Sequence, residues 1–257
     1  MKTIFIGDIH GRSIWKDIVA RENADRVVFI GDYFDSFNIG SAEQQYNFKE
    51  IIEYKETAFT DNGLDTQRKT QVIMLIGNHD YHYYPGRETY SGYQHGAAAS
   101  IRQLLEENKD HLQMCYQFDN ILCSHAGMGH NWLVEQEKYE SGSIADHVND
   151  IWKYKPLQFM FCGLNPYGDS KTQTPIWIRP MSLMSGNKET FLKKDYIQIV
   201  GHTQVKKIDT GKATGSRYFF IDALDEGQYL IHEDGKFKVG RINTQEKPAD
   251  FHTTKVL

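Results

Sequence analysis

Seven residues of this chain could do chemistry together: Asp8, His10, Asp32, Asn78, His79, His125 and His202. Each stands at or just past the end of an apolar run, after a small residue, as in "TIFIGDIHG", "RVVFIGDYFD", "VIMLIGNHD", "NILCSHAG" and "YIQIVGHTQ". Their donor atoms are carboxylate oxygen, amide oxygen and imidazole nitrogen. That mixture suits a borderline divalent metal such as Mn, Fe or Zn better than Ca or Mg alone. The set has no sulfur ligand, which argues against a structural zinc site built on cysteine. Two or three such residues support one metal, and six or seven support two with a carboxylate between them. Asn78 and His79 are adjacent, so one reading is a polar turn at a strand end and the other a metal ligand beside an acid catalyst. Any single Gly-Asp or Gly-His is a common turn. Five strand-end signatures in order point to one site.

The elements that must position these residues can be read from the same runs. β-Branched and apolar residues fill each run, and each stops at a small residue, which is the pattern of a buried strand emptying into a loop. Between the runs lie helix-length segments at 13–22, 41–57 and 94–108. The first opens on Ser13 as an expected N-cap, and the second on "SAEQ" in capping-box spacing. Strand and helix in alternation predict an α/β fold, and ligand sites in open α/β sheets gather at the carboxyl ends of strands. The tail over 218–241, "RYFFIDA" then "GQYLIHEDGKFKVG", reads as antiparallel strands with Asp-Gly turns. The segment 129–184 is less regular, holds Trp132, Trp152 and Trp177, and is expected to be a helical and loop insertion over one end of the sheet. "TGKATGS" near the end lacks the spacing of a phosphate-binding loop.

Bulk properties narrow the class. At 257 residues, one domain spanning 1–257 is expected. With 40% hydrophobic and 25% charged residues the chain can bury a sizeable core. A formal net charge of -5 argues against an extended nucleic-acid footprint, which needs clustered Lys and Arg. Cys115, Cys123 and Cys162 show no C-x-x-C spacing, which fits reduced thiols in a reducing compartment. The opening "MKTIFIGDIHG" is too short and too polar for a signal peptide, and no apolar run approaches the ~18 residues that span a membrane. A cytoplasmic protein without membrane contact is expected.

In order, "GDIHG", "GDYFD", "GNHD", "SHAG" and "GHT" resemble the motif series of the calcineurin-like metallophosphoesterases, closest to the phosphoprotein phosphatase branch and its bacterial and phage relatives. The motifs run from Asp8 to His202, about three quarters of the chain. The resemblance implies a four-layer α/β/β/α sandwich of two mixed β-sheets flanked by helices, with a dinuclear metal centre at strand ends. It implies that Asp8 and His10 hold the first metal, that Asp32 bridges both, and that Asn78, His125 and His202 complete the second. Manganese is the leading expectation, with Fe, Zn, Ni and Co as further fits. The resemblance also implies that His79 faces the leaving-group oxygen as general acid, with Asp35 as its partner. Asp80 is assigned no catalytic role.

The chain departs from its relatives in places. Where many end with Gly-His-x-His, it has Gln204, which fits the phosphoprotein phosphatase branch. Where that branch has a phosphate-gripping Arg after the bridging motif, it has Ser36. "PIWIRP" resembles a Trp-x-Arg segment of bacterial relatives and diadenosine tetraphosphatases, which makes Arg179 the candidate phosphate contact. The leading expectation is a metal-dependent phosphomonoesterase acting on a phosphoprotein or a small phosphorylated substrate. A dinucleoside polyphosphate hydrolase or phosphodiesterase is the alternative, since aromatics of 129–184 could stack a base. A catalytically inactive metal-binding module ranks third.

Overall fold

The computed structural model describes residues 1–59, 70–162, 169–209 and 216–243. Two sheets carry the fold. In the larger, β1 (Lys2–Ile6), β2 (Arg26–Phe29), β3 (Gln71–Leu75) and β4 (Leu112–Gln113) run parallel. The hairpin of β9 (Gln228–Glu233) and β10 (Lys236–Arg241) pairs antiparallel to the free side of β1. In the smaller, β6 (Ile121–Ser124), β7 (Ile197–Val200) and β8 (Tyr218–Phe220) run parallel, and β5 (Cys115–Phe118) pairs antiparallel to β6. Both sheets are therefore mixed.

Alternation along the strands explains the layering. Ile4 and Ile6 of β1, Val27 and Phe29 of β2, and Val72 and Met74 of β3 face a core shared with helices. That core takes Ile18 from α1 (Trp15–Glu22), Phe48 and Ile51 from α2 (Ser41–Phe59), Tyr81 from the short α3 (Asn78–Tyr81), and Ile101 and Leu105 from α4 (Ala98–Glu107). The intervening Phe5, Val28, Ile73 and Leu75 face the other way and meet Ile121, Cys123, Ile199 and Phe219 of the second sheet. Residues of α5 (Ile144–Tyr154) close the remaining outer side against β5. Strands buried on both faces must be apolar at nearly every position, which is why their runs are so legible. This is the α/β/β/α arrangement expected.

Local expectations fared unevenly. The helix placed at 13–22 starts at Trp15 with no side-chain cap, so Ser13 is not its N-cap. In α2 the first turn is closed by Gln44 N–H on the Gly40 carbonyl, and the Gln44 side chain turns away to a neighbouring loop, so no capping box forms. The tail was expected to be antiparallel throughout. Instead β8 joins β7 in parallel, and only β9 and β10 form the antiparallel hairpin. The strand β5 went unremarked in the sequence, being four residues that are mostly half-exposed. The segment 129–184 contains a π-helical turn at Asn131–Gln136, α5, and most of α6 (Pro180–Gly186). Most of "TGKATGS", at 210–215, lies outside the described residues.

Candidate active site

Two parallel sets of strands, β1, β2 and β3 in one sheet and β6 and β7 in the other, release the chain at one edge of the sandwich. Asp8 and His10 follow β1, Asp32 follows β2, Asn78 and His79 follow β3, His125 follows β6 and His202 follows β7. Close approach at this edge demands glycine. A Cβ on Gly77 would lie 2.0 Å from Asp32 Oδ1, and one on Gly201 would lie 2.0 Å from Asp8 Oδ1. Four side chains of the site sit on left-handed backbone: His10 (φ 42°), Asp32 (φ 53°), Asp35 (φ 67°) and His202 (φ 61°). Such conformations cost of order 1–3 kcal/mol each and persist where surrounding structure enforces them, typically at functional sites.

Asp32 lies at the centre. Its Oδ1 accepts the His79 backbone N–H at 2.9 Å. Its Oδ2 faces His125 Nε2 at 3.3 Å on one side and His10 Nε2 at 3.7 Å on the other. Asn78 Oδ1 lies 3.0 Å from His125 Nε2 and 2.9 Å from His202 Nδ1. Both oxygens of Asp8 accept the His202 backbone N–H at 3.1 Å. Asp8, Asp32 and His125 bring ligand atoms within 4.8 Å of one another.

The tautomers of the three histidines follow from their outer contacts. A backbone carbonyl can only accept, so the ring nitrogen facing it carries the proton. His10 Nδ1 donates to the Phe34 carbonyl at 2.5 Å, His125 Nδ1 to Ile30 at 2.9 Å, and His202 Nε2 to Trp177 at 3.1 Å. Each ring thereby turns its other nitrogen inward, the usual outer bracing of a metal-binding imidazole. Burial lowers the His10 pKa, and burial followed by the charge on His125 drives His202 far down, so both are neutral. Their inward lone pairs face oxygens of Asp32 and Asn78, which are themselves acceptors. Burial would also lower His125, but Asp32 and Asp8 overcome it and push this imidazole up to about 10. The pocket thus draws in a proton where it holds no other cation. Two inward lone pairs facing oxygen acceptors, and a third ring held protonated by carboxylates, are what a divalent cation reconciles, so these residues fit one.

A second constellation adjoins the first. His79 Nδ1 is 2.9 Å from Asp35 Oδ2, leaving its other nitrogen for the cavity it lines, and its ring centroid is 5.3 Å from that of His10. Asn78 and His79 therefore diverge as expected, one toward the histidines and one toward Asp35. Burial would lower the His79 pKa, yet Asp32 and then Asp35 raise it above the ordinary value.

The cavity of about 410 Å³ is lined by Asp8, His10, Asp32, Asp35, His79, Arg179 and His202 among others. Arg179 is half-buried and donates from Nη1 to the His202 carbonyl and Thr203 Oγ1, both at 3.2 Å. Asn78 and His125 stand behind the cavity wall, buried at 3% and 0% exposure. Gln204 turns aside, its Nε2 donating to Asp225 at 2.7 Å.

Four further contributors, His82, Tyr83, Arg12 and Asp222, were not read from the sequence, and Asp80, given no catalytic role there, has a structural one. Asp80 accepts the backbone N–H groups of Asp32 at 2.8 Å, Tyr33 at 2.7 Å and Gly77 at 2.9 Å, so it locks the loop that presents Asp32. Burial, then the charge on Asp32, push its carboxyl up to about 7 against the pull of those amides. His82, fully buried, places Nε2 2.6 Å from Asp35 Oδ2, and the Tyr83 hydroxyl donates to Asp35 Oδ1. Arg12 lines the cavity and pairs with Asp225 at 2.8 Å. Asp222, just after β8, lines it too, and after burial is the main influence raising the Asp8 pKa. Asp80 lies inside "GNHD" and Arg12 abuts "GDIHG"; His82, Tyr83 and Asp222 carried no local signal.

The family model for calcineurin-like phosphoesterases matches residues 1–206, and the chain belongs to that family. No curated protein sequence matches the chain. Among solved structures, the cold-active protein-tyrosine phosphatase of a psychrophilic Shewanella superposes with a TM-score of 0.64 at 14% identity, covering 93% of this chain and 77% of that one. A putative diadenosine tetraphosphatase gives 0.48 at 14% identity, covering 93% of each chain. A metallophosphoesterase from Sphaerobacter thermophilus gives 0.44 at 13% identity, covering 95% and 89%. At 14% identity the likeness to the tyrosine phosphatase is one of fold.

Proposed function

We propose that this protein is a metal-dependent phosphatase that hydrolyses phosphate monoesters of a phosphoprotein or small phosphorylated substrate. The observation that carries this is the Asp32 carboxylate, with Oδ2 between inward nitrogens of His10 and His125, beside a His79–Asp35 pair in the same cavity. Asp8, His10 and Asp32 would hold one divalent ion, and Asp32, Asn78, His125 and His202 a second, manganese being the leading fit. Bound there, such ions supply a water of lowered pKa and neutralise phosphate charge.

The chain's own groups do the rest. His79, kept protonated by Asp35, gives its proton to the leaving oxygen. Arg179, from "PIWIRP", offers a guanidinium to phosphate in a cavity rich in carboxylates. Asp80 holds the Asp32 loop, and the carbonyls of Phe34, Ile30 and Trp177 fix the histidine tautomers. We take the whole chain as one such domain. We take the setting to be cytoplasmic, as the cysteine spacing suggests; no helix among the described residues is long and apolar enough to cross a membrane.

The test is hydrolysis of para-nitrophenyl phosphate, its bis ester and diadenosine tetraphosphate, with added Mn and after chelation. Turnover of the monoester that disappears with chelation is expected. Preference for the bis ester or the dinucleotide would favour the phosphodiesterase or polyphosphate hydrolase reading instead, and no turnover of any would favour the binding module.

A further inference from the structure

Phe37 is 82% exposed, the most exposed of the large hydrophobic residues described, yet it lines the cavity that holds His79, Asp32 and Arg179. An isolated surface phenylalanine needs no explanation. This one is held in place. The Ser36 hydroxyl accepts the backbone N–H groups of Asn38 at 3.3 Å and Ile39 at 3.2 Å, closing a tight turn with Phe37 at its tip. Gln44, fully buried, accepts Ser36 N–H at 3.2 Å and donates to the Ile39 carbonyl at 2.5 Å, so both ends of the turn are tied to α2. Gln94 in turn donates to Gln44 at 2.9 Å. A tip pinned in this way presents its ring to solvent instead of folding it onto the core, and the ordering cost of binding is lowered accordingly.

Its position says which part of a substrate it would meet. Phe37 is two residues beyond Asp35, the partner of His79, so the two α-carbons are no more than about 7 Å apart. That is the side where a leaving group would depart. We propose that Phe37 is a specificity residue: its ring stacks on a planar aromatic leaving group joined directly to the phosphate, making aryl phosphates such as phosphotyrosine the preferred class. This rests on the phosphatase reading above and narrows its substrate. Ser36 is the residue that builds the turn.

Two measurements on the Mn-loaded protein test this, in the wild type, Phe37→Ala and Phe37→Trp. The first is kcat/KM for a phosphotyrosine peptide, a phosphoserine peptide of the same flanking sequence, and AMP. An aromatic pair predicts that Phe37→Ala lowers the phosphotyrosine-to-phosphoserine ratio about tenfold, through KM, and that Phe37→Trp restores it. An unchanged ratio overturns the proposal. A loss confined to AMP also overturns it, by showing that the ring recognised is a nucleobase. The second is calorimetric titration with phenylphosphonate and propylphosphonate, which needs no turnover. Tighter phenylphosphonate binding that is lost in Phe37→Ala supports the ring contact even if hydrolysis is absent and the phosphatase reading fails. Turnover without any phenyl preference leaves that reading standing and removes the proposal.

Discussion

Asp35 Oδ2 lies 2.9 Å from Nδ1 of His79, and the same carboxylate is held from behind by His82 at 2.6 Å and by the hydroxyl of Tyr83. One buried acid thus orients a histidine in the cavity and is itself fixed by two residues from the turn after β3.

His79→Asn should keep the wild-type metal content and most substrate affinity while kcat falls ~10²–10⁴-fold. The loss should be smaller for nitrophenyl phosphate than for alkyl phosphates, whose leaving oxygens need the proton more. Equal losses across a leaving-group series would remove His79 from the role of acid.

The pH profile carries a sign. If His79 is the acid it must be protonated to act, so activity would be present below its folded pKa and lost as pH rises through it. Burial lowers that pKa, and Asp32 and Asp35 raise it. With metal on Asp32 its share is partly cancelled, leaving Asp35 to hold the proton. Asp35→Asn should therefore move the falling limb of kcat to lower pH, and Tyr83→Phe should move it less.

Asp32→Asn should lose more metal than any other single change at Asp8, His10, Asn78, His125 or His202, because only Asp32 is shared by both histidine groups. Metal analysis on the purified variant checks this, and two ions per chain would contradict it. To bind metal His125 would have to give up a proton, and against burial Asp32 and Asp8 push its imidazole up to about 10. Affinity should thus rise with pH across the neutral range, with proton release in calorimetry.

Asp80→Ala strands three backbone N–H groups, two of them on Asp32 and Tyr33. At roughly 1–3 kcal/mol for each buried donor left unpaired, urea unfolding should show at least about 3 kcal/mol lost. Metal binding should weaken with it, since the Asp32 loop is no longer pinned.

Arg179→Ala should raise KM for phosphomonoesters roughly tenfold, as loss of a charged hydrogen bond of ~1.5 kcal/mol implies, with metal content unchanged. A kcat effect with KM intact would place the guanidinium on the reacting phosphate only in the transition state.

Much of this was legible in the chain itself. A strand buried on both faces must be continuously apolar, and the loop it feeds must be small and polar, so β1, β2, β3, β6 and β7 and the residues at their ends stood out by composition. Local chemistry of that kind survives in a linear string. The partners of those residues do not. Asp80 meets Asp32 across 48 positions and Gln44 meets Gln94 across 50, contacts that exist only once β2, β3 and α2 are packed. The direction of β8 was misjudged because a short apolar run pairs equally well either way, and neighbouring strands decide. His82 looked like one more polar residue in "HDYHYY" until burial placed it against Asp35. The identity of the donor atoms was therefore written in the sequence. Which nitrogen faces inward, which acid is braced and which ring is left in solvent were decided by tertiary packing, since each depends on a carbonyl, an amide or a side chain brought from a distant segment.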